Sequence, residues 1–248
     1  MANSFTYRGY DFSTYGLVVK ERDIPMTHEV DSLQLHYKAF ATDSKIPPKT
    51  ISLSVAVTAA DVTTLKTNLD IIKRLLNTQV DEHLILDSLS DRYWLARFTG
   101  LTGKFKGVMF DGNIDFLCLD PYAYGNSEIS HDYPDNENPE TITETPGGTA
   151  LIEPVFVLTS SVIDATATIR VRNDTLGMEI TWGPGAIGIG GILSIDCSLW
   201  HVTLNAIASM SLVAAGSQFP ILSPGEANII KVYGFTGNVN ITYRNKYA

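Results

Sequence analysis

At 248 residues the chain is long enough for one large domain or two of ordinary size. Its 44% apolar and 18% charged side chains supply real cores and exclude a disordered chain. A net charge of −9, with 18 basic residues scattered among 27 acidic ones, excludes nucleic acid and anionic membrane surfaces as natural partners.

The opening residues Met1–Arg8 hold no apolar stretch, so no secretory signal is expected. Nowhere do ~18 apolar residues run together, so no membrane anchor is expected either. Phe5 to Val19 is rich in aromatic and β-branched residues broken by Gly9 and Gly16, which predicts two short strands. Thr50–Thr58 alternates apolar and polar residues with period two, the pattern of a half-buried strand. The period then changes. Val62, Leu65, Leu69, Ile72 and Leu76 recur every three or four residues and predict one helix over 61–77, capped by Asp61 or Thr58. His83–Asp87, Arg92–Phe98 and Gly112–Asp120 read as three further strands, with Gly100, Gly103 and Gly107 punctuating the connection to the third. Asp120-Pro121 ends the sheet, because proline donates nothing to a ladder.

A compositional break follows. Residues 128–148 carry three prolines, two glycines and an excess of acids, and read as a linker between a domain at 1–127 and another at 149–248. Asp132, Asp135, Glu137 and Glu140 lack the regular spacing and central glycine of a calcium loop. The second half reads as all-β. Ala165–Arg172 and Asn238–Arg244 alternate strictly, and turn signals stand at Asn173-Asp174, Gly183-Pro184-Gly185, Ser223-Pro224-Gly225 and Thr236–Asn238. Short alternating strands at regular spacing predict a sandwich.

No motif carries catalysis. Gly183–Gly188 matches G-x-G-x-x-G literally, but more glycines follow it instead of a helix, and Pro184 lies inside it; a turn between strands is expected. Gly100–Lys104 has only half of a phosphate loop. His28, His36, His83, His131 and His201 show no metal-ligand spacing. The acid pairs Asp111/Asp115 and Glu179/Asp196 are open candidates for paired-carboxylate chemistry until their separations are known. Cys118 and Cys197 each sit in an apolar run and read as reduced core thiols. Trp182 and Trp200 lie in the β-rich half. Core is the commoner fate of a sandwich tryptophan, and the alternative, an exposed sugar platform, makes these two the candidate carbohydrate contacts. No cofactor and no metal are expected, and the chain does not read as an enzyme.

Three blocks then resemble one family. They are Phe5-Thr-Tyr-Arg-Gly-Tyr-Asp-Phe-Ser-Thr-Tyr-Gly-Leu-Val-Val, the stretch from Asp91-Arg-Tyr-Trp-Leu-Ala-Arg-Phe through Phe116-Leu-Cys-Leu-Asp-Pro-Tyr-Ala-Tyr-Gly, and the close from Phe219-Pro-Ile-Leu-Ser-Pro-Gly through Val239-Asn-Ile-Thr-Tyr-Arg. Together they are similar to siphophage distal tail proteins. The resemblance implies a mainly β chain. Its N-terminal β-sandwich or barrel domain would carry one helix and a β-arm at Arg22–Pro48, and its C-terminal sandwich would be galectin-like or carbohydrate-module-like. It also implies a hexameric ring at the virion tail tip, made in the cytoplasm of the bacterial host. The ring would join the tail tube to the tail-associated hub or fibre protein, with receptor-binding and baseplate proteins as further partners. The alternative reading is a carbohydrate-binding module of a host-recognition protein.

Overall fold

The computed structural model describes residues 4–24, 32–35, 38–41, 47–136 and 140–248. The chain divides into two compact units, residues 1–126 with Ala248, and residues 127–247.

In the first unit the chain runs through β1 (Phe5–Tyr7), β2 (Tyr10–Asp11), β3 (Leu17–Asp23), β4 (Ser32–Leu35), β5 (Lys38–Ala41), β6 (Lys49–Thr58), helix α1 (Val62–Leu76), β7 (Glu82–Leu86), β8 (Arg92–Lys106), β9 (Met109–Cys118) and β10 (Ala123–Gly125). All pairings are antiparallel, in the order β2-β1-β7-β8-β9-β6-β3, with β10 beside β8. The alternation of β6 decides its faces: Ile51, Leu53, Val55 and Val57 are buried while Ser52, Ser54 and Ala56 are half-exposed. Helix α1 buries Leu65, Leu69, Ile72 and Leu76; Val62, in the first turn, stays exposed. Of the two candidate caps, Asp61 is the one used. Its Oδ1 accepts the Thr64 amide at 2.9 Å and its Oδ2 the Thr64 hydroxyl at 2.7 Å. Phe5, Tyr7, Phe12 and Phe116 close the core, with Phe5 stacked on Phe12 at 4.8 Å.

One expectation is corrected here. The glycines after Phe98 do not punctuate a loop; β8 continues to Lys106 and makes a long hairpin with β9, because Gly103 and Gly112 face each other where a Cβ would strike the opposite backbone. The expected arm at 22–48 lies largely outside the described residues; within it, β4 and β5 pair as a hairpin.

The second unit contains β11 (Ile129–Asn136), β12 (Glu140–Glu144), β13 (Val155–Ser160), β14 (Asp164–Asn173), β15 (Met178–Ile187), β16 (Ile192–Asp196), β17 (His201–Leu204), β18 (Ile207–Ala208), β19 (Asn228–Tyr233) and β20 (Gly237–Tyr243). They form two antiparallel sheets, β11-β20-β13-β16-β17-β18 and β12-β19-β14-β15. Phe156, Leu158, Leu193, Ile195, Val239 and Ile241 of the first sheet and Ile169, Val171, Ile180, Trp182, Ile230 and Val232 of the second make one apolar cluster. Each such side chain contributes roughly 1.5–3 kcal/mol on burial.

The linker expected at 128–148 is corrected as well. Residues 129–136 pair with β20 and 140–144 pair with β19, so this segment supplies one strand to each sheet. Its β-branched residues Thr141, Ile142 and Thr143 meet a ready partner edge, which the local composition did not reveal.

Candidate functional site

Trp182 and Trp200 have opposite fates. Trp182 points from β15 into the sandwich, is fully buried, and donates its indole N–H to Ser209 Oγ at 2.9 Å. It is core and cannot meet a ligand, which removes it from the candidate carbohydrate contacts. Trp200 is 70% exposed, against the commoner fate of sandwich tryptophans. It sits in the turn from β16 to β17 with a φ of 51°. The turn is held by Asp196, whose Oδ1 accepts the amides of Ser198 at 2.9 Å and Leu199 at 3.0 Å. This local bonding lifts Leu199 and Trp200 together out of the sheet.

The glycine motif is structural, and it is not the expected turn. Gly183 and Gly185 lie within β15, where irregular pairing with β14 brings the backbones together. A Cβ at Gly183 would lie 2.3 Å from the Ala167 carbonyl oxygen, and one at Gly185 2.6 Å from the Trp182 ring. The glycines make room for the neighbouring strand and the indole, and no helix N-terminus follows to hold a phosphate.

The candidate acids are occupied. Asp111 accepts from Lys106 at 2.7 Å and also contacts Lys20; those two ammonium groups hold its carboxyl down at about 2. Asp115 accepts the Ser52 hydroxyl at 2.7 Å. Glu179 lies 3.9 Å from Arg170, and Asp196 holds its turn. Burial pushes the Cys118 thiol up to about 12 and raises that of Cys197 as well, so both lack the thiolate character a nucleophile needs. His83 stacks on Tyr93 at 4.0 Å; His28 and His36 lie outside the described residues. Among the described residues no group of His, Cys, Asp and Glu is arranged to hold a metal ion. No described helix is long and apolar enough to cross a membrane.

One polar cluster escaped the sequence. Glu144, at the end of β12, is 2% exposed. Its carboxylate accepts from His131 Nδ1 at 2.9 Å, the Tyr133 hydroxyl at 2.7 Å and the Tyr243 hydroxyl at 3.0 Å. The last proton is held tightly: burial, then the Glu144 charge, raises Tyr243 well above its usual value. The donors belong to β11 and β20 and the acceptor to β12, so one carboxylate ties the two sheets together. Three donors on one buried carboxylate satisfy it without a metal or ligand. The run Thr141-Ile-Thr-Glu144, strand-like in itself, was the signal within the supposed linker.

Comparison with known proteins agrees with this architecture. Residues 147–247 match the model of a family described as siphovirus-type tail component, C-terminal domain. No curated protein matches the chain. The crystal structure of SPP1 Dit (gp 19.1), described as a paradigm of the hub adsorption apparatus in phages infecting Gram-positive bacteria, superposes with a TM-score of 0.80 at 16% identity over 100% of both chains. Two structures of the phage P2 baseplate in its activated conformation, with calcium and with strontium, align at 10% identity with TM-scores of 0.49 and 0.48. These alignments cover 99% and 98% of this chain and 98% and 97% of theirs. Over residues 147–247 the chain is similar to the siphovirus-type tail component domain, and from end to end it has the fold of SPP1 Dit.

Proposed function

We infer that this tail component is a non-enzymatic hub of the virion tail tip, a ring of six copies between the tail tube and the hub or fibre protein below. The observation that carries the reading is the correspondence of fold over the full length of both chains with a protein described as an adsorption hub. Two surface features of the first unit agree with it. The hairpin of β8 and β9 ends in Phe105 and Val108, both exposed. The edge strand β3 carries the exposed run Lys20-Glu21-Arg22-Asp23 beside a bulge, a charged edge that resists indiscriminate pairing but suits a complementary neighbour. A closed ring needs two different patches that meet around an axis. Negative-stain imaging with light scattering of the purified chain tests the reading. Six-fold rings are expected; a chain that stays monomeric at high concentration and enters no tail complex refutes it.

A second reading, a carbohydrate contact on the second unit, now rests on Trp200 alone, since it is exposed and Trp182 is not. Binding of host wall polysaccharide that disappears in Trp200→Ala with an unchanged melt supports it, and no binding by the wild-type chain removes it.

A further inference from the structure

The core-facing row of β6 is Lys49, Ile51, Leu53, Val55 and Val57, so its first member is a lysine turned toward the apolar interior. Lys49 is only 9% exposed. It stands directly opposite Cys118, the last residue of β9, and directly opposed residues share a face with Cβ atoms ~5 Å apart. Its Nζ lies 5.9 Å from the centre of the Trp94 ring, at the outer limit of a cation–π contact. Among the described residues the amine has no hydrogen bond and no ion pair. The acids whose charges reach this end of the core are engaged elsewhere. Asp120 accepts the Tyr122 amide at 3.2 Å and the Tyr124 hydroxyl, and Asp81 accepts from Arg97 Nε at 3.1 Å. Trp94, 3% exposed, has the complementary want: its indole N–H is buried without an acceptor. Cys118 is a fully buried free thiol. An amine, an indole N–H and a thiol thus gather where β6, β8 and β9 meet, with no strong acceptor for any of them, although buried donors are nearly always paired.

We propose that Lys49 is a carboxylation site, whose amine takes up dissolved carbon dioxide as a carbamate held by the Trp94 indole N–H and the Cys118 thiol. An unpaired ammonium in an apolar interior is costly, and the group relieves the cost by giving up its proton. Burial pulls the Lys49 amine below the usual lysine range, with Cys118 and Asp120 acting the other way. A neutral amine is a nucleophile, and a lysine nine-tenths buried admits only a small, uncharged electrophile. Carbon dioxide is both. The amine lone pair attacks its carbon, a C–N bond forms, one C=O π pair moves onto oxygen, and one N–H proton leaves to water. Nothing is oxidised or reduced. The product carries two acceptor oxygens where the amine offered only donors. The indole N–H donates to one of them, and the thiol S–H donates more weakly. The added negative charge meets these donors, while Asp120 and Asp81 stay tied to Tyr124 and Arg97. The modification would fasten the ends of β6 and β9 to β8. The chemistry needs only the folded first unit, with or without a ring.

The test is magnetic resonance of the purified chain, grown with nitrogen-labelled lysine and moved from carbon-dioxide-free buffer into carbon-labelled bicarbonate. Only a lysine carbamate shows the labelled carbon bonded to the labelled nitrogen, which sets it apart from a carbamate on the terminal amine. Expected is one such resonance that disappears when the chain is unfolded, is absent from Lys49→Met, and falls severalfold in Trp94→Phe, which keeps the ring and removes the N–H. Its occupancy should exceed that of any exposed lysine by at least about tenfold, because burial raises the fraction of neutral amine. The thermal midpoint of the first unit should rise with bicarbonate in the wild type and stay put in Lys49→Met. Should Lys49→Met not fold, the wild-type resonance, its loss on unfolding and its decline in Trp94→Phe carry the test. No lysine-bonded resonance in the folded wild type overturns the proposal. So does a resonance that is unchanged in Lys49→Met or in Trp94→Phe. A midpoint raised equally by chloride, with no carbamate formed, also overturns it and makes the corner an anion site instead.

Discussion

Replacing Glu144 with leucine removes the acceptor of the inter-sheet cluster while keeping an apolar side chain of similar reach. The Tyr243 hydroxyl is left buried without its acceptor, and that of Tyr133 loses its 2.7 Å bond. A hydrogen bond to a charged group contributes about 1.5–3 kcal/mol net, so the two phenols account for roughly 3–6 kcal/mol. His131 is half-exposed, and its pairing adds about 0.5 kcal/mol after solvent screening. Better burial of leucine returns part of this, so Glu144→Leu should destabilise the second unit by about 3–5 kcal/mol, the range for breaking a buried polar network. Tyr243→Phe alone should cost about 1–2 kcal/mol and His131→Ala under about 1 kcal/mol. The double variant Glu144→Leu/Tyr243→Phe should fall short of the sum by at least about 1 kcal/mol. Urea denaturation followed by fluorescence, in a Trp94→Phe/Trp200→Phe background so that Trp182 reports on the second unit, measures all four. A cost for Glu144→Leu below 1 kcal/mol, or a strictly additive double variant, refutes the clamp.

Other perturbations have equally definite outcomes. Ser209→Ala strands the Trp182 indole N–H in the core and should cost about 1–3 kcal/mol, whereas Trp200→Ala should leave the urea midpoint of the second unit nearly unchanged. Ala206 occupies a left-handed position, φ 63°, in a two-residue hairpin turn after Asn205, where glycine is the natural choice; Ala206→Gly should raise stability by about 0.5–1 kcal/mol in the same assay. Cys118 keeps its proton when folded up to about 12, against 9.0 when unfolded. Its contribution is therefore complete below pH 9 and is lost as pH rises through the window between these values. About 1.4 kcal/mol should go by pH 10, and thermal melts of Cys118→Ala, normalised at pH 7, should lose that much less on the same step. Leu69→Ala on helix α1 should cost about 2–5 kcal/mol in the first unit, read by hydrogen exchange of the β6 amides.

The parts legible in the sequence are those where one local rule dominates. The period of β6 and of α1 comes from a single buried face, and the Asp61 cap from a single side chain, so both were readable. Segment 128–148 was not, because its strands borrow stability from β19 and β20, roughly a hundred residues further on; prolines and acids outweigh Thr141-Ile-Thr in any local reading. The hairpin through Gly100–Gly107 was hidden for the same reason: glycine weakens a strand in isolation, yet here only glycine permits the close approach. Trp182 and Trp200 both lie in the β-rich half, and only the tertiary register separates a core indole from an exposed one. The Glu144 cluster gathers residues up to 112 positions apart when counted from His131 to Tyr243, a separation no local pattern encodes.

The second unit is entered through β11, which among the described residues is an edge strand paired with β20 alone. Its first paired residue, Ile129, meets Tyr243, close to where β20 ends. Tension drawn through that entry would therefore work on the ladder as a zipper, opening one rung at a time, and not as a shear across all rungs at once. The mechanical resistance of such a joint is decided by its first few rungs. His131, Tyr133 and Tyr243 occupy those rungs, and each is fastened to the one carboxylate held by the opposite sheet. The clamp thus stands where a chain pulled through β11 would begin to peel, and the strand would yield there first if Glu144 were lost.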